Sequence, residues 1–460
     1  MSRPAIANLT TRIESIMKPR FLLTAVALFA AVSCDSALTT TPVDRIPAEN
    51  EIVDAGTARA ALTGAYDGLQ ALSYYGRNFL VLGDLSSDNA RHRGTFQYLK
   101  DIDLYQTQAD NTAISGVWGA IYDALARANT VLDRVPSVQG LTDTEKNEIL
   151  GEAYFLRALH LHNLVKFWGD VPMPLAPITS ADEAALVTRA PKAQVYTQIL
   201  ADLGKAETMI TNAKQTPRAS LGAVRSLRAR VMLYMANYQG ALDATTAVLG
   251  MGYSLEPTFR NLNTADGTAT PEDIFRVTFT PQEYNEMGYY YLRAGRREVA
   301  VTPNLNAAFE VGDVRKAATD SASGSEFQGM KWPTTIGGED IHVIRFAEVI
   351  LIRAEAYARL NGAGQLGLAV AEYNKIRVRA KLAPHVLGID VTTQTDVLNA
   401  IDKERRLELA LEGDRWPDLN RTGRAAAVMG LTPGQTFQLL YPIPQRERVV
   451  APALTQNPGY

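Results

Sequence analysis

The stretch that most constrains the fold is residues 151–177, GEAYFLRALHLHNLVKFWGDVPMPLAP. Leu150, Tyr154, Leu161, Leu164, Val165 and Trp168 recur at three- and four-residue steps, which places them on one face of an α-helix. Gly169 ends that helix. The prolines at 172, 174 and 177 stop another from starting, because proline lacks a backbone N–H and clashes with the preceding turn. Within the apolar stripe sits Arg157. A guanidinium there needs a buried acidic partner, or it marks a functional cleft. A structural ion pair is the plainer reading, with Glu355, Glu404 and Glu408 as candidate partners.

Helical patterns dominate the rest of the chain. They cover residues 57–72, 117–135, 144–168, 195–210 and about 396–412, with apolar residues at helical spacing. Residues 226–250 read as two helices crossing at small residues, and residues 347–380 have the length of one tetratricopeptide-type repeat. Such pairs cannot bury their faces alone and must stack on neighbours. Residues 73–93, with Tyr74-Tyr75-Gly76 and LGDLSSDNARHRG, break the pattern and read as loop. Residues 255–340 carry Gly, Pro, Thr and aromatics with little helical period, and DIFRVTFT (273–280) reads as a short strand.

The amino terminus sets the compartment. Lys18 and Arg20 precede an apolar run, 21–32, that meets Ser33-Cys34. A charged region, an apolar core of about 12 residues and a small residue make an export signal. The run is short of the roughly 20 residues that span a bilayer. Residues 17–34, beginning at Met17, would serve as such a signal by themselves. Cys34 is the one cysteine of the chain. At that place it resembles the lipid-bearing residue of a bacterial lipoprotein, with Ala31 where that pattern usually has Leu. The other reading is a plain secretory signal. Residues 35–50 are rich in Ser, Thr and Pro and read as a tether.

Other chemistries find little support. The net charge of -3 implies no broad basic surface for nucleic acid. One cysteine and five histidines exclude a disulfide framework and Cys-rich metal sites. His160 and His162, two residues apart, point to different sides of a helix. No catalytic metal and no cofactor are expected. Residues 362–367 match G-x-G-x-x-G, but a helix precedes them where a dinucleotide site needs a strand. Glu404 and Glu408 lie one helical turn apart and could pair as a glycosidase acid and base. With Arg405, Arg406 and Arg415 nearby, a structural charge network is the preferred reading.

Four segments carry a family resemblance: RALHLHNLVKFWGDVPMPL, DIHVIRFAEVILIRAEAYARLNG, IDKERRLELALEGDRWPDLNRTG, and the closing LYPIPQRE with QNPGY. In this order, behind Cys34, they resemble the SusD/RagB outer-membrane lipoproteins. The resemblance implies a mainly α fold, with about four tetratricopeptide-like helix pairs and a loop-rich insert containing short β-strands. It implies a non-catalytic, lipid-anchored protein on the outer membrane, facing outside. Such a protein captures an oligosaccharide or peptide and delivers it to a SusC-like TonB-dependent transporter. The domains expected are a signal peptide (1–33), a lipidated tether (34–50), an N-terminal helical-repeat part (51–254), a ligand-binding insert (255–340) and a C-terminal helical part (341–460). The helical parts would pack as one unit. The alternatives are a secreted interaction scaffold and, less favoured, a surface glycosidase using Glu404 and Glu408.

Sugar binding needs flat aromatic faces with amides, carboxylates or arginine beside them. Loops on a rigid scaffold are where such groups collect. The early loop offers Tyr74, Tyr75, Asp88, Asn89, His92, Phe96 and Tyr98, and the insert offers Tyr284, Tyr289, Tyr290, Tyr291 and Trp332. These are expectations from residue type and loop location.

Overall fold

The computed structural model describes residues 52–460, with 324, 325 and 336 left out. The signal, tether and Cys34 expectations lie outside the described residues. Nine long helices stand among the described residues: α1 (Ala55–Asp67), α2 (Thr112–Arg134), α3 (Asp143–Trp168), α4 (Lys192–Met209), α5 (Leu221–Tyr234), α6 (Tyr238–Leu249), α7 (Phe346–Leu360), α8 (Gln365–Arg379) and α9 (Gln394–Glu408). Each from α1 to α7 packs on the next in the chain, α7 packs on both α8 and α9, and α8 packs on α9. The result is a tetratricopeptide-like array of four pairs, α1–α2, α3–α4, α5–α6 and α7–α8, with α9 laid against the last.

The helix ends follow local chemistry. Thr142 and Glu145 form a reciprocal capping box at the start of α3, and Thr393 and Asp396 do the same for α9. Gly169 ends α3 with φ of 75°, a left-handed region where glycine carries no Cβ penalty. A Cβ there would also lie 2.9 Å from Leu440 Cδ1. The G-x-G-x-x-G segment is the α7–α8 turn, with Asn361 and Gly364 both left-handed.

The short strands are β1 (Ala90–His92), β2 (Asp273–Val277), β3 (Val299–Val301), β4 (Asp320–Ser323), β5 (Glu326–Gly329) and β6 (Ile341–Arg345). One sheet runs in the order β1-β3-β5-β4, and β2 pairs with β6; every pairing is antiparallel. Residues 73–93, expected as loop, contain a helix, Asn78–Leu85, as well as β1. All eight residues of that helix are buried. It therefore has no polar face and no 3.6-residue alternation to read. The sequence GYYY likewise falls in a one-turn helix, Met287–Tyr291.

Arg157 is buried, and its partner is Asp202 of α4, not Glu355, Glu404 or Glu408. Its Nε donates to Asp202 Oδ2 at 2.8 Å and its Nη2 to Oδ1 at 2.7 Å. Nη1 donates to Asn129 Oδ1 at 3.2 Å and to the Leu175 carbonyl at 3.0 Å. One side chain thus ties α2, α3, α4 and the proline-rich exit together. Spacing within α3 could not reveal an acid on a neighbouring helix.

Glu404 and Glu408, both fully buried, sit in an arginine network. Arg315 lies 2.8 Å from Glu404 and 3.5 Å from Glu408. Arg377 reaches Glu404 at 2.7 Å, Arg345 reaches Glu408 at 2.5 Å and Glu272 at 2.6 Å, and Arg379 also pairs with Glu408. The network links α8, α9, β6 and the insert.

In the β2–β6 ladder, His342 Nδ1 pairs with Asp273 Oδ1 at 2.6 Å, and its Nε2 donates to the Leu262 carbonyl at 2.7 Å. Burial opposes the imidazolium, but Asp273 outweighs it and the pKa is raised.

Two outcomes follow from these buried charges. Arg157→Ala leaves Asp202 buried and unpaired, and should cost about 3–5 kcal/mol in denaturant unfolding. Because the His342 pKa is raised on folding, its stabilisation is fully present below about pH 6.5 and is lost as pH rises through the folded value. Thermal unfolding across that window should show the loss, and His342→Gln should flatten it.

Candidate ligand-binding surface

The β1–β3 pairing builds the surface. Arg91 lies opposite Ala300 and His92 opposite Val299, which brings residues 94–98 beside the insert. Glu298, 1% exposed, then fixes the loop. Its Oε2 accepts from Thr95 N at 2.8 Å and Phe96 N at 3.0 Å, and its Oε1 pairs with Arg296 Nε at 2.8 Å. A Cβ at Gly94 would meet Glu298 Oε2 at 2.1 Å, so any larger residue there would push this carboxylate off its partners.

Phe96 and Tyr98 stack at 5.1 Å and 19°. Tyr290 lies 6.3 Å from Phe96, and Tyr289 lies 6.3 Å from Tyr290. The Arg296 guanidinium sits 3.9 Å above the Phe96 ring, and that of Arg77 4.3 Å above Tyr290. Arg77 is itself paired with Glu286. Burial, with the Tyr98 hydroxyl beside it, raises the Tyr290 phenol pKa despite Arg77. Tyr98 is half-buried and Tyr289 is 37% exposed. Two chain segments thus meet in an aromatic strip flanked by guanidinium and carboxylate groups. Arg77, Glu286, Arg296 and Glu298 were not singled out from the sequence; the local signal was charge next to the aromatic runs.

The other candidates are placed differently. Tyr74 and Tyr75 are core residues. Asn163 Nδ2 donates to their hydroxyls at 2.7 and 2.8 Å, and the Tyr74 hydroxyl lies 3.0 Å from His160 Nδ1. Burial pushes the Tyr75 phenol up to about 12 and His160 down to about 3, so both stay neutral. His162 packs edge-on against Tyr234. Tyr291 and Trp332 are buried as well. Side chains with no exposed face have none to offer a ligand; Tyr290, 3% exposed, is buried likewise and serves in the strip only as the backing between Phe96 and Tyr289. Asp88 pairs with Arg415 at 2.8 Å and Arg406 at 3.2 Å. Asn89 donates to Asp84 Oδ1 at 3.0 Å and accepts from Arg406 at 2.9 Å. Both hold the early loop to the chain around α9. His92 lies 3.7 Å from Glu298, at the edge of the strip. Tyr284 is 40% exposed and stands apart, on the loop before Glu286. No group of three or more His, Cys, Asp or Glu among the described residues is arranged to hold a metal. No helix among them is long and apolar enough to cross a membrane.

A mainly helical array that presents loops on one sheet defines a class of binding scaffold, and comparison places the chain within it. Residues 327–460 match the SusD family, and residues 32–233 match a family described as "Starch-binding associating with outer membrane". SusD-like protein P2 of Formosa agariphila is 26% identical over 95% of this chain and 98% of its own. A SusD superfamily protein from Bacteroides vulgatus superposes with a TM-score of 0.79 at 21% identity, covering 88% of this chain and 99% of that one. A laminarin-binding SusD-like protein superposes with a TM-score of 0.77 at 25% identity, covering 89% of this chain and all of that one. The chain belongs to the SusD/RagB family.

Proposed function

We propose that this chain is a cell-surface lipoprotein of the outer membrane that captures an oligosaccharide and delivers it to a SusC-like TonB-dependent transporter. The observation that carries the binding reading is the set of partly exposed rings, Phe96, Tyr98 and Tyr289, gathered around buried Tyr290 between Arg77 and Arg296. Flat rings meet the apolar face of a sugar, and flanking charges meet its hydroxyls. The match to a starch-binding family and the likeness to a laminarin-binding protein support the same ligand class. Anchoring through Cys34 follows from the export signal that precedes it.

Titration calorimetry against laminari- and malto-oligosaccharides tests the site. Tyr98→Ala and Tyr289→Ala should each weaken binding about tenfold, the worth of roughly 1.4 kcal/mol of stacking. Unchanged affinity in both variants sinks this placement. In native membranes, wild type should take up labelled palmitate and co-purify with a β-barrel transporter, whereas Cys34→Ala should lose the label. Label retained in Cys34→Ala, or no barrel recovered with wild type, counts against the anchored, transporter-coupled reading.

A further inference from the structure

A separate cleft of about 330 Å3 is lined among others by Thr63, Tyr66, Gln70, Arg276, Thr278 and Glu283. One wall is the end of α1 and the turn after it. The other is the end of β2 and the loop that follows. Both segments continue into the strip. The chain runs from Gln70 to Arg77 on one side, and from Thr278 past Tyr284 to Glu286 and Tyr289 on the other. They are tied together at both ends of this course. Gln70 Nε2 donates to the Thr278 carbonyl at 2.8 Å, and Glu286 N donates to the Gly76 carbonyl at 2.9 Å. Cleft and strip are therefore two stations along one seam, and the exposed Tyr284 stands on the loop between them.

The lining suits a ligand that both donates and accepts. Arg276 uses one nitrogen on Asp340 at 2.8 Å and on the Gly267 carbonyl at 2.6 Å. Its buried Nε has no hydrogen-bond partner. The Tyr66 ring forms an apolar wall, backed by the Arg218 guanidinium at 4.6 Å. Glu283 is exposed at the rim and can accept. A hydroxyl supplies an acceptor for Arg276 and a donor for Glu283 with the same atom. A carboxylate or an ammonium ligand would satisfy one and repel the other. The volume lies at the lower end of the range for small-molecule sites.

We propose that this cleft is a second sugar subsite, and that the ligand is a linear, uncharged oligosaccharide running from Tyr98 and Tyr289 past Tyr284 into it. The proposal rests on the carbohydrate reading above, and its test separates the two. Thr63 is exposed on α1, and its hydroxyl bonds the Arg59 carbonyl of its own helix. Thr63→Trp therefore fills the cleft without entering the core. Calorimetry with laminari- and malto-oligosaccharides of increasing length should show wild-type affinity rising with length and then levelling. In Thr63→Trp the longest oligomers should bind about tenfold more weakly than to wild type, close to the short ones, while the short ones are unaffected. Hydrogen exchange on wild type gives a second readout: long oligomers should protect residues 63–70 and 277–283, and short ones should not. Equal wild-type affinity for short and long oligomers, or full long-oligomer affinity in Thr63→Trp without that protection, overturns the subsite and leaves the strip standing. No binding of any oligomer in either series overturns the carbohydrate reading and the subsite with it.

Discussion

The structure depends on the pairing of buried guanidinium groups with buried carboxylates. Glu404 and Glu408 project from α9 and are met by arginines from three other places: Arg315 in the insert, Arg345 at the end of β6, and Arg377 and Arg379 on α8. Each carboxylate is met by more than one guanidinium, and deleting either one would leave several buried arginines short of a partner, a larger penalty than any single pair's own net worth. Apolar packing alone would let helices slide in register. Forked, bidentate charge contacts allow only one register. The insert is therefore fixed to the helices at defined points, although it has little secondary structure of its own.

That rigidity extends to the aromatic strip. Its two segments are more than a hundred residues apart in the chain and meet through a three-residue strand pairing and one buried carboxylate, Glu298. Aromatic side chains held this way lose little conformational freedom when a ligand arrives, so less of the contact energy is spent on ordering the site. The helical array fixes the ladder, the ladder fixes Phe96 and Tyr98, and Arg296 covers the ring face that solvent would otherwise wet.

The helices were legible because their apolar residues repeat at 3.6. The starts of α2 and α4 were read a few residues late, since their first turns are marked by little hydrophobic period. The helix at Asn78–Leu85 was illegible because it is buried on every side. The partner of Arg157 was misread for a different reason. Sequence shows that a buried charge needs an opposite charge, but Asp202 becomes a neighbour only through the packing of α4 on α3. The same limit applies at the strip. Residue type and loop location singled out Tyr74 and Tyr289 alike, and only tertiary structure turned one into the core and left the other exposed beside Tyr290. Arg77 and Arg296 gain their meaning from the rings they cover, which no local pattern encodes.

The end of α3 has a consequence for how the molecule comes to exist. Trp168 donates from its indole to the Pro442 carbonyl at 3.0 Å, and its own carbonyl accepts from Asn457 at 3.0 Å. Asn457 also donates to the Tyr441 carbonyl, and Tyr441 N donates to the Phe167 carbonyl. These contacts join residues 274 and 289 positions apart. A helix that ends little more than a third of the way along the chain is thus completed only by its final residues. Contacts so distant in sequence form late and slowly. The end of this helix therefore stays unlatched until the last segment of the chain has arrived.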